Sequence, residues 1–266
     1  MVYQLSATKL QTYQRCPYAY YLRYERRVES KSGFGAAALG TALHQTLASC
    51  HQNWHYQAAR PDWDWFNQSW KHCAVGLTNQ QMREGREILE QYYQQFVVKE
   101  GVFRPPLAVE GKIQASLQLD NIEFQVQGRY DRIDVLPDGL ELIDYKSSRE
   151  IKLPTAEEID VQIGLYYLAL EQTYQQSLKY LTLLFLRSGE KVRFQASAGH
   201  KRQVKKTIAE LAQQIRQNRN WQPKPGAQCS NCSYSQYCAA VTREPAEMPK
   251  AMKKLPGLQL ALGLAS

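Results

Sequence analysis

The feature that most constrains the fold is the segment GRYDRIDVLPDGLELIDYKSS, which predicts two β-strands joined by a turn. The strands are expected at 129–135 and 140–146, and the Leu-Pro-Asp-Gly between them has typical turn chemistry. Asp144 and Lys146 are two residues apart on one strand, so their side chains project from the same face. The segment therefore predicts a hairpin with an acid and a lysine side by side near one end.

The register of this hairpin decides whether a second acid joins that face. If Leu136 to Gly139 form a four-residue loop, Asp131 lies opposite Asp144, whereas a three-residue loop sends Asp131 to the other face. Two facing carboxylates repel unless a cation neutralises them, and Mg²⁺ or Mn²⁺ would do so while activating a water for attack on a phosphodiester. Lys146 would supply a further positive charge, although a surface ion pair between Asp144 and Lys146 remains the alternative.

The charge distribution along the chain also favours a phosphodiester substrate. The 33 Lys and Arg residues against 25 Asp and Glu give a net charge of +8, and basic segments at 9–31 and 190–224 flank a more acidic centre. Basic flanks can hold backbone phosphates while central carboxylates hold a cation, but two solvated helix faces would have the same composition. A hydrophobic content of 44% excludes a disordered tail protein, a collagen-like repeat and a coiled-coil rod.

The rest of the chain has the pattern of an α/β protein. Pro and Gly residues separate helical stretches from strand stretches, and Thr155 with Glu158 forms a capping-box pattern before one helix. We expect a helical insertion over about 50–105. The predicted helices are 6–28, 36–55, 79–99, 155–174 and 200–219, and the further predicted strands are 108–119, 122–127, 179–186 and 191–195.

Three short motifs together resemble a known enzyme family. G-R-Y-D-R-I-D, I-D-Y-K-S-S and Q-I-G-L-Y resemble the nuclease motifs of the PD-(D/E)XK superfamily, in its RecB/AddB-like branch. This resemblance implies a restriction-endonuclease-like α/β core, with a mixed central sheet flanked by helices and a helical N-terminal insertion. It also implies one nuclease domain over 1–240. Residues 241–266 lose periodicity and contain three prolines, which predicts a flexible tail. The leading Pro-Asp of the family is replaced here by Tyr130-Asp131.

The same resemblance assigns roles to individual residues. Asp131 and Asp144 resemble the metal-binding acids, Lys146 the catalytic lysine, and Tyr145 would offer its backbone carbonyl to the metal. His44 resembles a histidine near the metal, although a hydrogen-bonded helix histidine is also possible, and Glu110 is the candidate third carboxylate. Gln162 and Tyr166 resemble the Q-x-x-x-Y pair, which would reach the same DNA strand because the two residues are one helical turn apart.

Four of the six cysteines have a spacing that indicates a metal site. Cys229, Cys232 and Cys238 lie within ten residues, and Cys16 near the start of the chain is the natural fourth ligand. The pattern resembles AddB-type and CRISPR-adaptation nucleases, in which one early and three late cysteines hold a [4Fe-4S] cluster. This would close segment 229–238 onto Cys16. A zinc site with the same four cysteines is the alternative.

These observations predict a metal-dependent DNA nuclease, an exonuclease on single-stranded or end-exposed DNA in repair or recombination. A CRISPR-adaptation-type nuclease, a non-catalytic DNA-binding module that kept the fold, and a zinc-stabilised RNA-binding protein remain alternatives. No Walker A motif occurs, so a helicase partner would be a separate subunit. Gln259–Leu262 loosely resembles a peptide that docks on the sliding clamp. The absence of an apolar leader or a long apolar run predicts a cytoplasmic protein with no membrane segment.

Overall fold

The structure is a computed structural model that describes residues 3–29, 34–119, 122–148, 156–195 and 197–247. Thr155 of the predicted capping box lies outside these ranges, as does most of the predicted tail, including Gln259–Leu262. Within the described ranges, no helix is both long and apolar enough to cross a lipid bilayer.

Six strands form one mixed sheet at the centre of the fold. The strands are β1 (Tyr3–Leu5), β2 (Ala108–Leu119), β3 (Ile122–Leu136), β4 (Gly139–Lys146), β5 (Leu178–Phe185) and β6 (Glu190–Gln195). Their order is β1-β3-β4-β5-β6, with β2 also paired to β3. The pairs β1–β3 and β4–β5 are parallel, and the others are antiparallel. The expectation of a mixed sheet flanked by helices is confirmed.

The β3–β4 hairpin has the register that places Asp131 opposite Asp144. Val135 pairs with Leu140 and Ile133 with Leu142, as the four-residue alternative required. The turn itself is shorter than predicted, because Leu136 and Gly139 also pair and only Pro137 and Asp138 remain between the strands. Gly139 has φ +147, and a Cβ there would lie 2.6 Å from the Ser177 carbonyl oxygen, so this turn requires glycine.

Two strand predictions need correction. The strands expected at 122–127 and 129–135 are one continuous strand, because Gly128 stays in the ladder opposite Ile113. Strand β1 was not predicted at all. It has only three residues, and its parallel pairing with Phe124–Val126 of β3 supplies the hydrogen bonds that local sequence does not reveal.

The described part of the chain contains seven α-helices. They are α1 (Ala7–Arg15), α2 (Pro17–Tyr20), α3 (Phe34–Asn53), α4 (Trp63–Cys73), α5 (Asn79–Tyr93), α6 (Ala156–Tyr174) and α7 (Ala198–Gln217). The single helix predicted over 6–28 is wrong, since Cys16 is extended (φ −163, ψ 110) and Pro17 starts a new helix. A proline lacks the N–H that a continuing helix needs, but it fits the first position of a helix. Segments Tyr21–Glu25 and Gln94–Val98 are π-helical.

One apolar core lies between α3, α4 and α5 and one face of the sheet. Leu43, Leu47 and Phe66 from the helices are fully buried, and they share this core with Ile143 and Tyr145 of β4. Helix α6 contacts β2, β3 and β5, and α7 packs on α6. By strand alternation, Asp144 and Lys146 project from the face of β4 opposite to Ile143 and Tyr145.

The chain divides into two compact units. Unit 1 comprises Met1–Gln11 and Gly33–Gln217, and unit 2 comprises Thr12–Ser32 and Asn218–Ser266. Unit 2 is therefore assembled from two segments that are distant in sequence. Its apolar cluster contains Leu22, Val28 and Tyr234, with 0%, 8% and 7% exposure.

Candidate metal centre

Three side chains from three different elements converge at one end of the β3–β4 hairpin. His44 comes from α3, Glu110 from β2 and Asp131 from β3. Their ligand atoms all lie within 4.8 Å of one another, and this is the only such group of three or more His, Cys, Asp and Glu side chains in the described ranges. His44 Nδ1 is 3.1 Å from Asp131 Oδ1 and 3.9 Å from Glu110 Oε1. Two carboxylates and an imidazole form a donor set that suits a divalent cation such as Mg²⁺ or Mn²⁺.

An unusual backbone conformation directs Glu110 toward this group. Glu110 has φ +46, and it is skipped in the β2–β3 pairing, where Val109 pairs with Arg132 and Gly111 with Tyr130. A left-handed non-glycine residue in a strand is strained, and such strain is concentrated at functional sites. The following Gly111 leaves room for the Tyr130 ring, because an added Cβ there would clash with the Tyr130 hydroxyl oxygen.

The negative charges of the site alter its protonation. Burial lowers the pKa of His44, but the hydrogen bond to Asp131 and the charges of Asp131, Glu110 and Asp144 outweigh it and leave the pKa above its usual value. Burial and the neighbouring Asp131 raise the pKa of Glu110. In the absence of a metal, His44 and Glu110 therefore hold protons more readily than usual. A divalent cation that binds to them would displace these protons.

Asp144 and Lys146 form a close ion pair beside this group. Lys146 Nζ donates to Asp144 Oδ2 at 2.6 Å, and the Lys146 side chain is 37% exposed. Asp131 is held from the same strand, because the Tyr145 N–H donates to Asp131 Oδ2 at 2.6 Å. The four predicted residues Asp131, Asp144, Tyr145 and Lys146 thus lie together at the C-terminal end of β4.

Comparison with known proteins decides the family. A family model of the PD-(D/E)XK nuclease superfamily matches residues 4–239. The chain belongs to this superfamily. No curated protein matches the sequence. Nucleases of the superfamily use divalent metals, which agrees with the donor set formed by His44, Glu110 and Asp131.

Two solved structures were compared with this PD-(D/E)XK chain. A candidate exonuclease from Eubacterium rectale has a TM-score of 0.52 and 10% identity, with 95% of this chain and 94% of that chain covered. A protein named SSO0001 has a TM-score of 0.45 and 14% identity, with 90% and 87% covered. At these identities the first likeness concerns the fold alone, and the second is too remote to support an argument.

The predicted Q-x-x-x-Y pair, Gln162 and Tyr166, lies on α6. The Tyr166 hydroxyl donates to the Arg129 carbonyl oxygen of β3 at 2.6 Å, and the Tyr166 ring covers Gly128. Arg129 in turn places its guanidinium 3.6 Å from Glu110. The backbone of Gln162 lies one turn earlier on the helix, but its side chain is outside the described part of the chain. Tyr166 is therefore connected through Arg129 of β3 to Glu110, one of the three candidate metal ligands.

Sequence reasoning missed a polar network beneath the PD-(D/E)XK site. Arg132 contacts the Tyr145 hydroxyl at 3.4 Å, the Tyr92 hydroxyl at 3.2 Å and His51 Nε2 at 2.7 Å, and it pairs with Asp134 at 2.8 Å. No motif connects positions that lie so far apart in sequence. One available signal was the alternation of β3, which places Arg132 and Asp134 on the face that packs against the helices.

Arg187, in the turn after β5, supports the end of β4. It donates from Nε to the Ser147 carbonyl oxygen at 2.8 Å, and its Nη1 lies 2.6 Å from Glu84 of α5. These contacts link the residue after Lys146 to the helical insertion. Arg187 was not predicted, because a single arginine after a strand has no diagnostic pattern.

The four predicted cluster cysteines all lie in unit 2 and line one cavity of about 170 Å³. Backbone N–H groups point at two of them, from Lys224 to Cys16 Sγ and from Gly226 to Cys229 Sγ, both at 3.4 Å. Across the described residues, no three cysteine sulfur atoms lie within 4.8 Å of one another. Cys50 and Cys73 lie in α3 and α4 of unit 1.

Proposed function

We propose that the protein is a divalent-metal-dependent deoxyribonuclease, acting as an exonuclease on single-stranded or end-exposed DNA. The observation that carries this proposal is the convergence of His44, Glu110 and Asp131 beside the Asp144–Lys146 pair. Two carboxylates, an imidazole and a lysine at one strand end are the groups that hydrolysis of a phosphodiester needs.

Each residue has a distinct role in this proposal. When bound, the cation would polarise a phosphoryl oxygen and lower the pKa of a bound water. Asp131, Glu110 and His44 would hold the cation, with Asp144 and the Tyr145 carbonyl oxygen completing the ligand set. The Tyr145 N–H fixes the orientation of the Asp131 carboxylate. Lys146 would stabilise the negative charge that develops on the scissile phosphate.

The cysteines of unit 2 support a second metal group, a [4Fe-4S] cluster held by Cys16, Cys229, Cys232 and Cys238. The four cysteines line one cavity of about 170 Å³ in unit 2. Their spacing in sequence, one early and three late cysteines, resembles that of AddB-type nucleases, and this resemblance supports an iron-sulfur cluster over a zinc ion.

The biological setting remains part of the proposal. A cytoplasmic role in DNA repair or recombination, with a separate helicase subunit, is consistent with the family and with a chain that has no Walker A motif. The CRISPR-adaptation role and a sliding-clamp contact through the tail are weaker alternatives, and both require a partner-binding experiment.

The test of the proposed function is digestion of end-labelled DNA by anaerobically purified protein. Single-stranded and duplex substrates are incubated with Mg²⁺, Mn²⁺ or chelator, beside Lys146→Ala and the control Lys179→Ala. The control is matched, because Lys179 pairs with Asp138 at 2.7 Å at the opposite end of β4. Metal-dependent cutting that is lost only in Lys146→Ala supports the proposal. DNA binding without cutting in the wild type would instead support the non-catalytic module.

The cluster proposal has its own readout. The anaerobic protein should be brown, with a broad absorption band at roughly 400 nm from thiolate-ligated iron. It should contain bound iron, and the Cys232→Ser variant should contain none. Zinc in place of iron, in protein purified without air, would contradict the cluster while leaving the nuclease proposal untouched.

A further inference from the structure

An open groove of about 600 Å³ lies in unit 1, beside the candidate metal centre. It is lined by the residues that begin α1 and by parts of β2, β3 and α6. Arg129 connects the groove to the metal group, because it lines the groove and its guanidinium lies 3.6 Å from a carboxylate oxygen of Glu110. A ligand that reached a cation at the metal centre could therefore continue into this groove.

Four polar residues of the β2–β3 pair contribute to the lining in a regular arrangement. Lys112 lies opposite Arg129, and Gln114 lies opposite Gln127, in the antiparallel register. Residues directly opposite each other project to the same side of a sheet, as do residues two apart on one strand. The four side chains therefore share one face, with a pair of cations followed by a pair of amides.

These two pairs continue the line of the metal ligands along both strands. Glu110 precedes Lys112 by two residues on β2, and Asp131 follows Arg129 by two residues on β3. Since a strand rises about 3.3 Å per residue, the cation pair lies about 7 Å along the strands from the two carboxylates, and the amide pair about 13 Å. Phosphates of a stacked DNA strand follow one another at about 3.4 Å along its axis, so this length corresponds to roughly four nucleotides.

The groove carries positive charge that the described residues neutralise only in part. Among the described residues that line it, only Lys112 and Arg129 are charged. Like charges directly opposite each other on antiparallel strands are destabilising. Arg129 has Glu110 as a partner, but the exposed Lys112 forms no ion pair with any described residue. An anionic ligand that contacted both cations would offset their repulsion.

We propose that this groove holds one DNA strand on one side of the scissile phosphate, an inference that rests on the proposed nuclease function. Lys112 and Arg129 would contact its phosphates. The side chains of Gln114 and Gln127 make no hydrogen bond to the described residues, and they would bind sugars and base edges. A volume of about 600 Å³ is typical of a cleft for a small ligand, so the groove suits a single strand rather than a duplex.

The test measures binding of a short single-stranded oligonucleotide by fluorescence anisotropy, in chelator so that the strand is not cut. Lys112→Ala should weaken binding about fivefold, the size expected for one solvent-exposed ion pair. The slope of log affinity against log salt concentration should become shallower by about 0.7, because one phosphate contact of a single strand is lost. Lys112→Arg keeps the charge and should bind like the wild type.

Lys71→Ala on α4 is the matched control, because it removes one exposed lysine that does not line the groove. It should bind the strand like the wild type. Gln114→Trp tests the same groove without a change of charge, since a large ring at this exposed position should fill part of the groove and weaken strand binding. Circular dichroism verifies that each variant is folded.

Equal binding by Lys112→Ala and the wild type overturns the proposal. An equal loss in Lys112→Ala and Lys71→Ala also overturns it, because the effect then comes from the net charge of the protein. So does an effect of Lys112→Ala on duplex DNA alone, or a wild type that binds no single strand at low salt. Strand binding that depends on Lys112, in a protein that never cuts DNA with Mg²⁺ or Mn²⁺, would contradict the nuclease proposal and leave the groove assignment in place.

Discussion

The backbone N–H of Tyr145 donates a hydrogen bond of 2.6 Å to the carboxylate of Asp131 on the neighbouring strand. The other oxygen of this carboxylate faces His44 Nδ1 at 3.1 Å. Asp131 is therefore oriented from two sides before any cation binds. Such preorganisation lowers the cost of forming a metal site, because the ligand does not have to be reoriented.

Lys146→Ala should lower the rate of DNA cleavage by about 10²–10³ while DNA binding changes little. The reason is that Lys146 would contact charge that develops only in the transition state. Single-turnover cleavage with saturating Mn²⁺ measures this effect. The control variant Lys179→Ala should cleave DNA at the wild-type rate. Cleavage at the wild-type rate by Lys146→Ala would show that Lys146 takes no part in the reaction.

Asp131→Asn should abolish Mn²⁺ binding while the fold is retained. The asparagine oxygen can still accept from the Tyr145 N–H, so the local backbone keeps its hydrogen bond, but the charge that attracts the cation is lost. Calorimetric titration with Mn²⁺, together with circular dichroism, separates the two effects. Asp138→Asn at the hairpin turn serves as the control. Unchanged Mn²⁺ affinity in Asp131→Asn would locate the metal elsewhere.

His44 should make metal affinity depend on pH. Its pKa is raised because, although burial opposes it, Asp131, Glu110 and Asp144 favour the protonated ring. Mn²⁺ must displace this proton, so affinity should rise as pH rises through the folded pKa of His44. Titrations from about pH 6 to 8.5 should show this rise in the wild type and a weaker one in His44→Gln. His72→Gln, an exposed histidine on α4, should behave like the wild type.

The stability of the metal-free protein should show the opposite trend. A group whose folded pKa is raised stabilises the fold fully below its unfolded pKa, about 6.5 for histidine, and loses that contribution as pH rises through the folded value. In chelator, the stability advantage of the wild type over His44→Gln should therefore shrink between about pH 6 and pH 8. Urea unfolding at several pH values measures it, and an advantage that grew with pH would contradict the assigned shift.

Arg132→Met should destabilise the protein by about 1–3 kcal/mol, since it leaves the partly buried Asp134 carboxylate without its partner. The double variant Arg132→Met/Asp134→Leu should recover part of this loss, because both charges are then removed. Urea unfolding of the two variants gives the comparison. If the single variant were as stable as the wild type, the network would not contribute to stability.

Cys232→Ser should lower the melting temperature of the anaerobically purified protein by at least about 5 °C, or roughly 2 kcal/mol for a chain of this size. The reason is that the proposed cluster joins two segments of unit 2 that are distant in sequence. Cys73→Ser, which removes a cysteine outside the cavity, is the control. Equal melting curves for the two variants would refute a structural cluster.

The sequence was sufficient for the parts of the site that depend on strand periodicity. The spacing of Asp144 and Lys146 predicted that both side chains project from one face of β4. The sequence left two hairpin registers open, and the pairing of Ile133 with Leu142 shows that the one placing Asp131 on that face is formed. The core strands were found for the same reason. Their apolar pattern extends over enough residues to identify a strand, even where the strand propensity of single residues is weak.

What the sequence could not reveal depends on contacts between distant residues. Strand β1 forms only because β3 offers it a parallel edge, and the strained backbone of Glu110 has no local signal except the following glycine. The contacts of Arg132 with His51, Tyr92 and Tyr145 likewise come from three other elements. Each depends on tertiary packing, which periodicity does not encode.

The discontinuous make-up of unit 2 has a consequence for protein synthesis. Residues Thr12–Ser32 leave the ribosome first, but their partners from Asn218 onward emerge only after Gly33–Gln217 have been translated. At about 5–20 residues per second, the early segment waits roughly ten to forty seconds. During this interval Leu22 and Val28 lack the Tyr234 that later covers them. Cys16 therefore spends its first moments as an isolated thiol, and any metal group in unit 2 has to be inserted at the end of synthesis.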